Sequence, residues 1–305
     1  MSSKSEMNLS RHIQPLIAIA LALFGSLVSM PPAHGQAQTP LAASPTKAKV
    51  YKFTTADFPG AASSAVTDVS AGTAVGFEWI SLTGNVTAFT VKAGVYRTLQ
   101  VPHAIDSALA GINSLGQMVG TDLDASQKWH GFLYSGGTFT SFDYPGAQVT
   151  KPLDINDSGV IVGEYWGSDS ISHGFVYKNG SFTAINYPNA TYTGVMGINS
   201  AGDMVGYWRV NGDHGFRLSG TDFTSIDYPA SIATTAAGIN DLGQIAGAYT
   251  DANDVLHGFT CTSGVFRTVD VPGAAGTALF HIRNNGQVSG RFYDARDEVH
   301  GMTAH

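Results

Sequence analysis

The sequence has little charge, almost no cysteine and no long helical pattern. Charged residues make up 13% of the 305 residues, and the net charge is −7. Without a basic stripe, nucleic acid is excluded as a partner class. The single cysteine, Cys261, cannot form an internal disulfide, so the fold must be held by packing. The sequence also lacks a G-x-S-x-G elbow, an HExxH motif and a phosphate-binding glycine loop. We therefore predict no catalytic residue, no metal site and no cofactor from motifs.

Long apolar runs are also missing, with one exception near the N-terminus. A fifteen-residue run from Leu16 to Met30 follows two basic residues and precedes several small ones. This pattern predicts a signal peptide over residues 1–35, and the polar, proline-containing residues 36–49 predict a flexible linker. The alternative is an N-terminal membrane anchor, although the run is short for a bilayer span. We expect a secreted or periplasmic protein without membrane contact beyond the cleaved signal peptide.

The rest of the chain is a repeat. One copy reads G-I-N-S-L-G-Q-M-V-G from Gly111, then H-G-F from His130, then F-T-S-F-D-Y-P-G-A from Phe139. Further clear copies begin at Asp154, Gly197 and Gly238, and the step from Ile112 to Ile155 is 43 residues. A period of roughly 40–50 residues with several short apolar runs is typical of β-propeller blades.

The two ends of the repeat region complement each other. The first copy, around Val69, is degraded, and the last, from Ile282, stops after His300 without its F-T-x-x-D-Y-P strand. The missing strand stands at the other end, as F-T-T-A-D-F-P-G-A from Phe53. We therefore predict that residues 51–305 form an all-β, six-bladed β-propeller of four-stranded antiparallel blades. The N-terminal strand would close it and leave no unpaired edge.

These motifs resemble the extracellular HAF-type repeat family, whose repeat carries I-N-x-x-G-x-x-V-G, then H-G-F, then a strand of F-T-x-I-D-Y-P-G-A type. The resemblance covers residues 51–305. It implies an exported bacterial repeat protein with a propeller fold. It implies no established activity and no catalytic residues.

The histidines of the H-G-F motif lie at equivalent places in different repeats, so their expected distance around the ring argues against a shared metal ion. The first copy has Thr87 in place of the histidine and also has Gln100 where later copies have an aspartate such as Asp143. Because both are lost together, we predict a hydrogen bond between the histidine and that aspartate within each blade. A shared metal site is the alternative.

All four tryptophans fall between the second and third predicted strands of their repeats: Trp79, Trp129, Trp166 and Trp208. Exposed aromatic rings suit stacking on sugars or on a protein surface. We predict an aromatic arc on one face of the disc, with packing at the blade ends as the alternative. Acidic residues cluster in the same hairpins, and D122-L-D-A-S126 has calcium-like spacing. Solvated turn residues are the preferred interpretation there, because the loop lacks the remaining calcium ligands.

The column before Ile-Asn provides a second candidate site. It reads Asp68, Gly111, Asp154, Gly197, Gly238 and His281, and Arg283 replaces the asparagine of the last copy. If the first strand of each blade is innermost, then Asp68, Asp154, His281 and Arg283 lie near one channel. They could form a catalytic or anion-binding cluster, or they could be structural residues of a drifting repeat.

Three functions remain open. The first is a monomeric, non-catalytic binding or scaffold propeller that uses the face of the hairpins between second and third strands and whose ligand is a polysaccharide or a cell-surface protein. The second is a glycan-active hydrolase or lyase with an axial acid/base cluster. The third is a purely structural surface repeat. Fold alone does not decide among them.

Overall fold

The computed structural model describes residues 50–80 and 84–305. The predicted signal peptide and the linker up to residue 49 lie outside the described residues. Within these ranges the chain is all-β and contains 24 strands. No helix long and apolar enough to cross a membrane occurs in the described part.

Each repeat contributes four strands that pair antiparallel in chain order. The first strands are β2 Ser63–Ser70, β6 Asp106–Ile112, β10 Val149–Ile155, β14 Tyr192–Ile198, β18 Ala233–Ile239 and β22 Gly276–Ile282. The second strands are β3 Thr73–Trp79, β7 Met118–Leu123, β11 Ile161–Trp166, β15 Met204–Arg209, β19 Ile245–Thr250 and β23 Val288–Tyr293. The third strands are β4 Val86–Lys92, β8 Trp129–Ser135, β12 Ser172–Lys178, β16 Asp213–Ser219, β20 Leu256–Thr262 and β24 Val299–Ala304. The fourth strands are β5 Val95–Thr98, β9 Thr138–Phe142, β13 Ser181–Ile185, β17 Asp222–Ile226, β21 Val265–Thr268 and, for the last repeat, β1 Phe53–Thr55. We call these groups units 1 to 6, in the order of their first strands.

Units 1, 4, 5 and 6 are separate four-stranded sheets, whereas units 2 and 3 join into one eight-stranded sheet. The join is a single parallel bridge between Val149 and Trp129. The N-terminal strand β1 pairs antiparallel with the C-terminal strand β24, with Phe53 opposite Ala304. The prediction that the N-terminal strand completes the last repeat is therefore confirmed.

The first strands are the innermost elements. Nearly all residues of β6 and β10 are buried, whereas fourth strands such as β17 are largely exposed. Each first strand contacts the first strand of the next unit, and β22 of unit 6 contacts β2 of unit 1. Units 1 and 6 are also linked by the hydroxyl of Ser289, which donates to the carbonyl of Thr67 at 3.1 Å. Contacts between first strands thus link each unit to the next and unit 6 to unit 1.

The glycine of each V-G pair lets the first two strands approach closely. A Cβ on Gly120 would lie 2.1 Å from the carbonyl oxygen of Ala108 and 2.7 Å from the ring of Phe132. Gly76, Gly163, Gly206, Gly247 and Gly290 meet the same obstruction at 1.9–2.1 Å. A larger residue would push the second strand away from the first, so this column needs glycine. The phenylalanine of each H-G-F motif is fully buried over it, as Phe132 and Phe175 are.

The histidines of the H-G-F motif contact a residue just after the fourth strand of their own unit, as predicted. Nδ1 of His130 lies 2.8 Å from Oδ2 of Asp143. His173, His214 and His257 make the same contact with Asn186, Asp227 and Asp270 at 2.9, 3.2 and 2.7 Å. In unit 6 the partner of His300 is Asp57 of the N-terminal segment, at 2.8 Å. The pairing is repeated even where the two residues come from opposite ends of the chain, which supports a structural role.

Candidate functional site: the axial cup

A β-bulge at one position of every first strand shapes the centre of the molecule. In unit 2 the register with the second strand shifts between Leu109 and Gly111, and the other five first strands shift at the equivalent place. A bulge adds a residue to one strand and redirects the side chains next to it. The column before Ile-Asn, which the sequence singled out, directly follows this bulge in each unit.

Three side chains of this column fill the space at the centre of the molecule, between the first strands. A Cβ on Gly111 would lie 3.0 Å from Cα of Asp154, and a Cβ on Gly238 would lie 2.7 Å from Cα of His281. The glycines of the column therefore make room for the side chains of their neighbours. Asp68, Asp154 and His281 occupy that room, and one ligand atom of each lies within 4.8 Å of the others. The convergence that the sequence left open is present.

All three residues of this cluster are buried: Asp68 is 1% exposed, Asp154 3% and His281 8%. Nε2 of His281 lies 3.8 Å from Oδ1 of Asp68, and Nδ1 lies 4.0 Å from Oδ2 of Asp154. These separations exceed hydrogen-bond length. The imidazole thus stands between the two carboxylates without hydrogen-bonding to either.

The carboxylates are fixed by backbone amides of the following unit. The N–H of Ile112 in unit 2 donates to Oδ2 of Asp68 at 2.9 Å. The N–H of Ile198 in unit 4 donates in the same way to Oδ2 of Asp154, also at 2.9 Å. Burial raises the pKa of Asp154 and the negative charge of Asp68 adds to the rise, whereas His281, the Ile198 amide and Arg283 act in the opposite direction. Each aspartate therefore links neighbouring units in addition to facing the axis.

Arg283 closes a belt of asparagines around the axis. The side-chain amide of each belt asparagine donates to the carbonyl of the equivalent residue in the next unit: Asn113 to Asn156, Asn156 to Asn199, Asn199 to Asn240, and Asn240 to Arg283. In unit 1 the position is Ser70, and there Arg283 extends the belt from unit 6. Its guanidinium donates to the carbonyls of Val69 and Ile112 and lies 2.7 Å from Oδ1 of Asp68. Arg283 thus bridges units 6, 1 and 2.

Above this belt the turns between first and second strands enclose a pocket of about 430 Å³, which we call the axial cup. Its wall consists mainly of amide, hydroxyl and carboxylate groups from the I-N-x-x-G turns, including Asn156, Asn199, Asn240, Ser114, Ser200, Asp157 and Asp241. Asp154, His281 and Arg283 line the same pocket, with Asp68 beside them. The bulge residues Leu153, Met196 and Phe280 belong to one buried apolar cluster, so the axis is packed on that side. The cup is therefore mainly polar, with Val69 and isoleucines of four first strands as its larger apolar lining residues.

The four tryptophans do not form a projecting arc. Trp79 is 7% exposed and packs edge-on against Phe77, with ring centroids 5.0 Å apart. Trp129 is half-buried against the same apolar cluster. These two residues pack inside the molecule, which the sequence had left as the alternative.

The other two tryptophans also pack against neighbouring side chains. The Lys151 ammonium lies 4.4 Å from the centroid of the Trp166 ring. Trp208 lies between Tyr187 of unit 3, at 4.3 Å and nearly parallel, and His214 of its own unit, at 4.5 Å. Tyr144–Tyr165–His173 and Tyr228–Tyr249–His257 repeat this three-ring stack. The arc was predicted from position along the chain, but strand direction and the inter-unit stack turn these rings towards other side chains.

The acidic hairpin residues stabilise their own turns. Oδ1 of Asp124 accepts the backbone N–H groups of Ser126 and Lys128 at 2.8 and 3.0 Å. These hydrogen bonds hold the pKa of Asp124 well below its usual range. Asp251 and Asp294 cap their turns in the same way. The preferred interpretation as turn residues agrees with this geometry.

Two groups in the described residues could hold a cation. One is the buried cluster of Asp68, Asp154 and His281, and the other is a more exposed group of Asp294, Glu298 and His300. Sequence reasoning predicted no metal site because no ligand motif is present. It also missed the asparagine belt, although the regular spacing of the Asn column was visible.

Comparisons with known proteins agree on the fold. No protein-family model matches the chain, and no curated protein matches it. Among solved structures, the β-propeller domain of the trilobed protease from Pyrococcus furiosus matches with a TM-score of 0.53 at 11% identity, over 80% of this chain and 94% of that one. The six-bladed β-propeller lectin of Aleuria aurantia matches with a TM-score of 0.51 at 13% identity, over 79% and 91%. TolB from Acinetobacter baumannii matches with a TM-score of 0.53 at 9% identity, over 76% and 63%. The chain is thus similar in fold to β-propellers.

Proposed function

We propose that this chain is an exported six-bladed β-propeller of the HAF-type repeat family, closed by its N-terminal strand, that binds a polar ligand in the axial cup without transforming it. The cup itself is the observation that supports this function most. It is a pocket of about 430 Å³ on the axis, framed by turns from at least five units and lined by side chains that can donate and accept hydrogen bonds. Ligand sites commonly occupy such concave places with convergent polar groups.

The chemistry of the wall favours a polyhydroxylated ligand, such as the end of a glycan chain. Amide and hydroxyl side chains can pair with sugar hydroxyls in either direction. The aromatic packing described above removes the main support for a site on the hairpin face. The Aleuria aurantia lectin, described by its fucose recognition, has the same general architecture, which is compatible with a saccharide ligand. A cell-surface protein remains the alternative partner.

A glycan array probed with residues 36–305 tests this function. Ser114 is an exposed cup residue, so Ser114→Trp would place an indole in the mouth and abolish binding. Ser158 is exposed on the equivalent turn but does not line the cup, so Ser158→Trp is the matched control and should bind like the wild type. Equal binding by both variants would mean that the ligand binds outside the cup. Failure of the wild type to bind any glycan would refute the saccharide proposal.

One observation favours a glycan-active enzyme as the second candidate. Asp68 is paired with Arg283, whereas burial raises the pKa of Asp154, and unlike environments for two neighbouring carboxylates are typical of acid/base pairs. Incubation with the bound glycan separates the candidates. An enzyme releases product, and Asp154→Asn stops it; a binder releases none.

Export and oligomeric state are tested separately. The N-terminal sequence of the chain recovered from outside the cytoplasm should begin near residue 36, after the signal peptide. Size-exclusion chromatography with light scattering should give the monomer mass. An unprocessed chain in the cytoplasmic fraction would contradict the proposed export.

A further inference from the structure

We propose that the floor of the axial cup binds one divalent cation of intermediate hardness, Mn²⁺ or Zn²⁺, through Asp68, Asp154 and His281. The inference concerns the ion alone and stands independently of the glycan proposal. If a glycan also binds, the ion would lie at the bottom of that ligand's site, and this second part rests on the proposed function.

The two negative charges buried in the cluster favour a bound cation. Asp68 and Asp154 are both buried within one small cluster. Arg283 neutralises Asp68 at 2.7 Å, whereas the only cationic partner within 4.0 Å of Asp154 among the described residues is His281. A buried carboxylate without a close counter-charge is costly, so a cation bound between these groups would be strongly favoured.

His281 is the second, independent observation. Its side chain is nine-tenths buried, and neither ring nitrogen has a hydrogen-bond partner among the described residues. The nitrogen–oxygen gaps of 3.8 and 4.0 Å are too long for hydrogen bonds. Only one of the two nitrogens can bind a given ion, and either gap matches the separation of two ligands on one ion, because metal–nitrogen and metal–oxygen bonds are each about 2.0–2.2 Å. One ligand atom each of Asp68, Asp154 and His281 lies within 4.8 Å of the others, so a single ring nitrogen and both carboxylates can share the ion.

Backbone amides position the two carboxylates for metal binding. The Ile112 and Ile198 amides hold them in place, and among the described residues Oδ2 of each aspartate accepts only this one hydrogen bond, which leaves it a lone pair for an ion. Asp154 and His281 line the cup, so the remaining coordination positions would be open to water or to ligand oxygens. With Asp157 and Asp241 on the wall, the carboxylates in and beside the cup exceed the single guanidinium by three charges, which attracts cations into it.

The ligand set determines the class of ion. Calcium and magnesium prefer oxygen ligands alone, whereas imidazole together with carboxylates suits Mn²⁺ and Zn²⁺. The other group, Asp294, Glu298 and His300, is more exposed, and Arg296 already pairs with its two carboxylates at 3.2 and 2.9 Å. We therefore assign the site to the cup floor.

Titration calorimetry of Mn²⁺ and Zn²⁺ into chelator-treated residues 36–305, without any glycan, tests the proposal. One ion per chain should bind, and Asp154→Asn and His281→Gln should each weaken binding by about 100-fold or more. Glu298→Gln, in the exposed group, should bind within about threefold of the wild type. Melting curves of every variant verify folding, and His281→Gln carries the test if Asp154→Asn does not fold.

Two results would overturn the inference. The first is no binding of either ion by the wild type at millimolar concentration. The second is binding that survives His281→Gln but is lost in Glu298→Gln, because the ion would then occupy the exposed group. A glycan array with and without the bound ion separates the two proposals. An ion that binds while no glycan does supports the metal site and refutes the saccharide function.

Discussion

Removal of the Arg283 guanidinium should destabilise the whole chain, because this side chain joins three units. Arg283→Gln deletes its ion pair with Asp68 and its hydrogen bonds to the carbonyls of Val69 and Ile112. Asp68 is 1% exposed and would be left without its counter-charge. Breaking a fully buried ion pair costs about 3–5 kcal/mol. Because the Arg283 side chain is 27% exposed, we discount this to about 2–3 kcal/mol.

Urea denaturation of the wild type, Arg283→Gln, Asp68→Asn and the double variant measures this effect. The double variant should lose less stability than the sum of the two single variants, by about 1 kcal/mol or more, because neither charge is then left alone. A loss of about 2–3 kcal/mol corresponds to a melting point about 4–12 °C lower in a domain of this size.

The matched control is Arg217→Gln. This arginine pairs with Asp203 at the same distance of 2.7 Å, but its side chain is 37% exposed and the pair lies within unit 4. Its loss should cost less than about 1 kcal/mol. If Arg283→Gln costs no more than Arg217→Gln, or if the two substitutions at positions 283 and 68 are additive, the belt does not depend on Arg283.

Three further predictions follow from the same architecture. Deletion of residues 50–61 removes β1 and the partner of His300, so the whole chain should melt at a lower temperature in one transition; an unchanged midpoint would refute closure by this strand. The hydrogen bond to Asp227 raises the pKa of His214, so its contribution to stability is full below about pH 6.5 and is lost as pH rises through the higher folded value. The unfolding midpoint measured across this range should therefore fall less steeply in His214→Gln than in the wild type; equal slopes would contradict it. Trp79→Ala should lower the free energy of unfolding by about 3–5 kcal/mol in urea denaturation, since the ring is buried, and should leave ligand affinity unchanged. Lost affinity in a stable variant would support the aromatic binding site instead.

The sequence could predict the features that repeat. Columns that recur at a fixed step predict the strands, the closing role of Phe53–Thr55 and the histidine–aspartate pairs. The degraded first copy lacks both the histidine and the aspartate, which indicates that these two columns pair. The His300–Asp57 pair spans nearly the whole chain, yet it was predictable because both residues occupy known columns.

Features set by local geometry could not be predicted in this way. The bulge after Leu109 and its equivalents orients the axial column, and a bulge leaves no reliable mark in a single sequence. The direction of the Trp208 ring depends on Tyr187 of the preceding unit. The prediction from its hairpin position therefore placed the ring on an exposed surface, which is wrong. Arg283 looked like a candidate ligand contact because it breaks the asparagine column. Its structural role depends on Asp68 and Val69 in unit 1, which only the folded chain brings near it.

Hydrogen–deuterium exchange of residues 36–305, with and without the best glycan from the array, tests the central claim most directly. The cup predicts that protection appears in the turns between first and second strands, at residues 113–117, 156–160, 199–203, 240–244 and 283–287. The hairpins between second and third strands, such as 124–128 and 251–255, should exchange at the same rate in both states. Protection confined to those hairpins would place the ligand on the opposite face and contradict the axial site.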